Sequence, residues 1–217
     1  HTGDMTQHGR AAEFAHARAL LQTLKTPLYV TPGNRDGRDG VVRAFAVDGY
    51  IMPDYAFVHY AIDEHPVRLV AVDSLGNGIG PKGDFCHDRL AALDATLAEA
   101  PAQPTALFMH HPPFDVPAAP DPFAYQRRRA VVDLATVVSR HKQVIHIFAG
   151  HMHRPWTAML GGVSASTVPS VAADLRYGSY LPTMATQPVY QIHRFDGDES
   201  FVNEPRLPGS DAGSLKV

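Results

Sequence analysis

Only one of the chain's 217 residues, Cys86, is a cysteine. That excludes a disulfide within the chain, and the absence of a Cys-x-x-Cys or mixed Cys/His cluster excludes a structural zinc knot. No run of about 18 apolar residues occurs, so no membrane-spanning helix is expected, and no charged start leads into an apolar stretch of the kind that directs export. Positive charge is not in excess: 19 Lys and Arg against 22 Asp and Glu leave a formal charge of −3, and the one dense basic run, Arg127-Arg128-Arg129, opens a predicted helix. Such a chain has no basic field to hold a nucleic-acid backbone, and general nucleic-acid binding is not expected. Together these absences predict a reducing, cytoplasmic setting and no membrane partner.

Histidine, by contrast, is plentiful, with thirteen in a near-neutral chain, and only position can separate chemistry from packing. Helical spacing of apolar residues predicts helices over 11–24, 87–98 and 127–141. Short apolar runs predict strands at 28–30, 55–62, 67–73, 106–109 and 144–148, with a turn at Asp63-Glu64-His65-Pro66. The second arm of that hairpin empties into the glycine-rich loop over 76–80. Three later runs, 156–160, 163–168 and 188–194, have an antiparallel character. The proline-rich stretch 112–122 is too long for a tight turn and predicts a surface loop that could serve as a lid. One domain over 1–202 is expected, followed by a loosely held tail over 203–217. The opening His1-Thr2-Gly3-Asp4 lacks an initiator Met and reads as the end of a buried strand, so a natural N-terminal strand is expected upstream.

Four predicted strand ends deliver donors of the metal-binding type: Asp4, Asn34, His110, and the pair His151 and His153. Sheets flanked by helices place such loops along one edge, where residues distant in sequence converge. Carboxylate, amide oxygen and imidazole together are borderline-hard donors, suited to manganese, iron, zinc or cobalt rather than to copper(I) or calcium. His151 and His153, alternating on an extended stretch, should face the same way. Two ions about 3.5–4 Å apart could bind phosphate oxygens and activate a water between them.

The segments Gly3-Asp4, Gly33-Asn34-Arg35-Asp36, His110-His111-Pro112-Pro113 and Gly150-His151-Met152-His153 occur in an order that resembles the calcineurin-like metallophosphoesterases. They look most like the bacterial class III cyclic nucleotide phosphodiesterase group, which includes glycerophosphodiesterase-like enzymes. The late run Gln187-Pro188-Val189-Tyr190-Gln191-Ile192-His193 is similar to that group's last strands. The resemblance implies a four-layer α/β/β/α sandwich of two mixed sheets flanked by helices. It implies a metal-dependent phosphodiesterase acting on a small-molecule phosphate ester, a cyclic nucleotide or a glycerophosphodiester, through a metal-bridging hydroxide. It also implies a homodimer. Residue by residue, Asp4 would bridge two metal ions, Asn34, His110 and His151 would hold one, and His153 the other.

Two departures stand out. The family's Asp-x-His, on a strand before Gly-Asp, has no counterpart after His1; Asp63-Glu64-His65 lies in the wrong place. Arg35 stands where the family usually has a histidine that helps the leaving group. A guanidinium can steady phosphate oxygens but cannot donate a proton near neutral pH, which shifts that task to another residue such as His111. A phosphomonoesterase or pyrophosphatase, or a degenerate member that binds metal or a partner without turnover, are the rival expectations.

Each residue also has a plain reading. Asp4 and Asn34 could be turn residues, His110 and His111 could pack on the prolines, and His151 and His153 could cap a strand. Arg35 could pair with Asp36 or Asp39, and Asp36 fits a supporting role better than a ligand role. His8, His16, His59, His65, His87, His141, His146 and His193 read as ordinary surface or core residues, and Cys86 as an inert thiol.

Overall fold

A computed structural model describes residues 1–77, 80–197 and 200–209. Its centre is β3 (Thr105–Met109), a run of five buried residues, TALFM, that alternates between two cores. Leu107 and Met109 face one core, and Ala106 and Phe108 the other. A strand buried on both faces reads as a continuous apolar run, and parallel pairing on both edges follows. β2 (Arg68–Ala71) and β4 (Val144–Ala149) flank β3 in parallel, and β6 (Val163–Thr167) lies parallel to β4. The edges are hairpins: β1 (Tyr60–Ile62) runs antiparallel to β2 and β5 (Trp156–Leu160) antiparallel to β6, giving the order β1-β2-β3-β4-β6-β5.

On the Leu107 face lie α3 (His87–Ala98) and α4 (Arg128–Arg140), which bury Leu93, Leu97, Leu134 and Val138. On the Phe108 face lie α1 (Ala11–Leu21) and α2 (Arg38–Phe45), which bury Phe14, Val41 and Phe45. Where these two helices touch, α2 carries Gly40; a Cβ there would strike the Phe14 ring, so glycine permits the close approach. The same face receives a second, two-stranded antiparallel sheet of β7 (Tyr190–Phe195) and β8 (Phe201–Arg206). Its inner side chains stack on β4: the Phe148 ring lies 4.1 Å from that of His193 and 5.1 Å from that of Phe201. The α/β class and the two packed sheets therefore match expectation, with the second sheet reduced to one strand pair among the described residues.

Several local expectations are corrected. Residues 28–30 form no strand: the His1 N-terminal amine donates to the Tyr29 carbonyl, the His1 carbonyl accepts from the Thr31 N–H, and the Val30 carbonyl accepts from the Tyr60 hydroxyl at 2.6 Å. The stretch over 112–122 is not a surface lid. Phe114, Val116 and Ala119 belong to the main core, so this loop is packed rather than free to swing. The tail boundary at residue 203 falls inside β8, while 210–217 lie outside the described residues, as do Gly78 and Ile79 of the glycine-rich loop. α2 was not predicted at all.

Candidate metal centre

Parallel strands all point their carboxyl ends the same way, so the loops after β2, β3, β4 and β6 share one edge. The ladder continues past the strands and ties these loops together: Gly150 N–H donates to the His110 carbonyl at 3.0 Å and Val168 N–H to the Ala149 carbonyl at 3.1 Å. The segment bearing Asp4 reaches this edge through two glycines. A Cβ on Gly3 would lie 2.5 Å from the Gly33 nitrogen, and one on Gly33 would overlap Asp4 itself. Only glycine at both positions lets the loops carrying Asp4 and Asn34 touch.

At the meeting point, Asn34 Oδ1 lies 3.0 Å from His110 Nε2 and 3.0 Å from His151 Nδ1. The two ring nitrogens are 3.1 Å apart, and Asp4 Oδ2 lies 3.5 Å from His110 Nε2. The tautomer of His110 follows from its other nitrogen. Nδ1 is 2.8 Å from the Thr2 carbonyl, which can only accept, so Nδ1 carries the hydrogen and Nε2 presents a lone pair to the cluster. Burial lowers the pKa of His110 to about 4. Burial, reinforced by the neighbouring His110, lowers that of His151 to about 3, so both rings are neutral at pH 7. Burial acts the opposite way on Asp4, holding its carboxyl above the usual range against the Arg35 N–H that donates to it at 2.8 Å.

With Asp4 ionised, four donor atoms thus converge with at most one proton, on His151 Nδ1, to share among them. Such an arrangement is costly by itself and fits a cation, and the donor types, two imidazoles, an amide oxygen and a carboxylate, suit a borderline-hard divalent metal. The outward hydrogen bond from His110 to the Thr2 carbonyl is the orienting contact that metal-bound histidines typically make.

Backbone conformation singles out the same residues. Among the described residues, those other than glycine with positive φ are Asp4 at 57°, His151 at 65° and His153 at 55°. A left-handed conformation costs such a residue on the order of 1–3 kcal/mol and concentrates at functional sites. His151 and His153 therefore do not alternate along an extended stretch, as their spacing had predicted; each is turned individually. His153 stacks flat on Tyr177, with ring centroids 5.8 Å apart at 7°, and its Nδ1 is buried without a partner. It lines the same cavity of about 670 Å³ as Asp4, Arg35, His110 and His151.

Two neighbours support the cluster. Asp36 accepts from Thr6 N–H at 2.9 Å, Thr6 Oγ1 at 2.8 Å, Gly33 N–H at 3.0 Å and Met5 N–H at 3.3 Å, so it pins the Asp4 and Asn34 loops together. It makes no pair with Arg35, whose exposed guanidinium has no carboxylate partner among the described residues. His111 lies behind His110 with its ring nitrogens engaged. Nε2 donates to the Pro81 carbonyl at 2.7 Å, leaving Nδ1 to accept from Ser74 Oγ at 2.9 Å. It stands near enough to His110 and His151 for the three rings to form one cluster, yet it has no free lone pair or mobile proton to offer. The expectation that His111 takes over proton donation is corrected on that ground. Ser74 was missed in the sequence, although it follows β2 at the same sheet edge.

An α/β sheet at whose edge a carboxylate, an amide oxygen and two imidazoles converge is an arrangement that metal-dependent enzymes use. A profile of the family described as calcineurin-like phosphoesterase matches residues 1–155, and the chain belongs to that family. Membership implies divalent metal ions, which the donor set fits. Among similar proteins, the glycerophosphodiester phosphodiesterase GpdQ of Enterobacter lignolyticus is 32% identical over 184 residues, covering 81% of this chain and 63% of that protein. A probable cyclic nucleotide phosphodiesterase of Rhodopseudomonas palustris is 28% identical over 216 residues, covering 94% of this chain and 75% of that protein. The chain thus spans less than two thirds of the length of the first of these relatives. In fold it is similar to a dimetal phosphatase from Danio rerio, with a TM-score of 0.61 at 18% identity over 77% of this chain and 70% of that one.

Proposed function

We propose that the chain hydrolyses a phosphodiester with the help of two divalent or trivalent metal ions, drawn from manganese, iron, zinc and cobalt. The observation that carries this reading is the convergence of Asp4, Asn34, His110 and His151 with too few protons to satisfy one another. Asp4 would bridge the ions, Asn34, His110 and His151 would hold one, and His153, whose Nδ1 is buried without a hydrogen-bond partner, would hold the other. When bound, such ions polarise a water and neutralise phosphate oxygens.

The chain's own residues supply the rest. Burial keeps His110 and His151 neutral, and therefore able to bind, well below neutral pH. Arg35, exposed, lining the cavity and without a carboxylate partner among the described residues, would grip the non-bridging oxygens of a bound phosphate through its fork. It stays charged throughout and gives no proton to the leaving group, and the engaged ring of His111 gives none either. Turnover should therefore depend steeply on leaving-group quality. The cavity's apolar wall, with Leu28, Tyr29, Val171 and Leu175, offers a surface for the organic part of a diester. The names of the relatives favour a glycerophosphodiester or a cyclic nucleotide, and the single cysteine favours a cytoplasmic setting.

Turnover of bis-p-nitrophenyl phosphate against p-nitrophenyl phosphate under manganese tests the reading. A clear preference for the diester is expected. Preference for the monoester would replace it with a phosphomonoesterase, and no hydrolysis together with less than one bound ion per chain would replace it with a non-catalytic member.

A further inference from the structure

His111 is fully buried, and so is Ser74. The two residues close a reciprocal pair: the Ser74 hydroxyl donates to His111 Nδ1 at 2.9 Å and accepts from the His111 backbone N–H at 3.0 Å. The far side of the ring is held by the Pro81 carbonyl at 2.7 Å. Two hydrogen bonds to the ring, with the serine hydroxyl itself held by the His111 backbone N–H, leave the imidazole no freedom to rotate or to exchange tautomers.

That fixed ring is the wall on which two donor rings rest. The centroid of His111 lies 4.8 Å from that of His110, edge-on at 86°, and 4.6 Å from that of His151 at 50°. His110 and His151 are themselves 4.9 Å apart, so the three imidazoles form a near-equilateral triangle with one corner immobilised. Gly83 keeps the space behind that corner tight, since a Cβ there would come within 2.9 Å of the His111 ring. We infer that Ser74, acting through His111, is a positioning residue that fixes the separation and orientation of the His110 and His151 donor nitrogens. The inference rests on reading that donor set as a metal centre.

The fold carries its own control. His146 Nε2 lies 2.9 Å from Ser166 Oγ, a second buried serine–histidine pair, packed beside Phe148 and Phe201 and making, among the described residues, no hydrogen bond or ring contact with the donor cluster. Cobalt(II) titrated into the metal-free chain reads both affinity and, through its visible bands, ligand geometry. Ser74→Ala is expected to weaken cobalt binding about 10–100-fold, the usual cost of losing an orienting contact, and to alter the bands. Ser166→Ala should leave both unchanged. If Ser74→Ala does not fold, Ser74→Cys keeps a weak donor at the same atom and should give an intermediate loss of affinity. Parent-like affinity and bands in the Ser74 variant, or equal weakening by Ser166→Ala, would overturn the inference while leaving the metal centre standing. A parent chain that takes up no cobalt would overturn both.

Discussion

His110 and His111 leave β3 as consecutive residues and both are buried, yet their ring nitrogens meet opposite surroundings. Around His111 each donor has an acceptor and each acceptor a donor, with the Ser74 hydroxyl and the Pro81 carbonyl completing the set. Around His110 Nε2 the neighbours at 3.0–3.5 Å are an amide oxygen, a second ring nitrogen and a carboxylate, and protons are short. A buried polar group is normally satisfied, so the unsatisfied cluster is the one that needs an external partner. The comparison assigns chemistry to one histidine and support to the other, and ring identity alone could not have done so.

The sharpest way to break the comparison is to remove each side of it. His110→Ala should cost more than the 10–100-fold in metal affinity that a supporting contact costs, because a donor atom is lost outright; isothermal titration with manganese reads it. Asp36→Ala strips the acceptor from four N–H and O–H donors joining the Asp4 and Asn34 loops. Orphaning such groups should destabilise the fold by about 3 kcal/mol in urea unfolding, with weaker metal binding as a consequence. Arg35→Ala should lower kcat/KM for a diester by about 10–100-fold while leaving stability within about 0.5 kcal/mol, since the side chain is exposed and has no carboxylate partner among the described residues. Its counterpart, Arg35→His, should recover turnover on diesters with poor leaving groups, by supplying the proton that arginine withholds.

A separate effect concerns pH and histidines outside the cluster. Burial lowers the pKa of His59 to about 4 and of His146 to about 4, against an ordinary 6.5 once unfolded. The unfolded chain then binds more protons between these limits, so stability is complete above pH 6.5 and declines as pH falls toward about 4. The urea midpoint should drop from pH 7.5 to pH 5, and His146→Gln should flatten that dependence.

Much of this was legible before any coordinates. α3 has the limits that its periodicity predicts, 87–98, and β5 those of its apolar run, 156–160, because a helix or strand with one clear apolar pattern declares itself. Asp4, Asn34, His110 and His151 were read as candidate donors from predicted strand ends, and the structure brings those four together, although among the described residues only His110 and His151 follow a strand. α2 was hidden because eight residues beginning after Gly37 and containing Gly40 look like a loop; tertiary contact with Phe14 makes them a helix. β8 was hidden by Asn203 and Pro205, which a strand pair at a sheet edge tolerates. The 112–122 segment misled for the converse reason, since its prolines suggested solvent while Phe114 and Val116 anchor it in the core. The left-handed turns at His151 and His153, and the closed pair of Ser74 with His111, depend on partners distant in sequence and leave no local pattern.

Anomalous diffraction from a crystal of the chain grown with manganese(II) is the most direct test of the central claim. A peak within about 2.0–2.3 Å of Asn34 Oδ1, His110 Nε2 and a His151 ring nitrogen, with Asp4 alongside, is the predicted result. Manganese found elsewhere, or this cluster closed on itself with no ion at saturating metal, would contradict it.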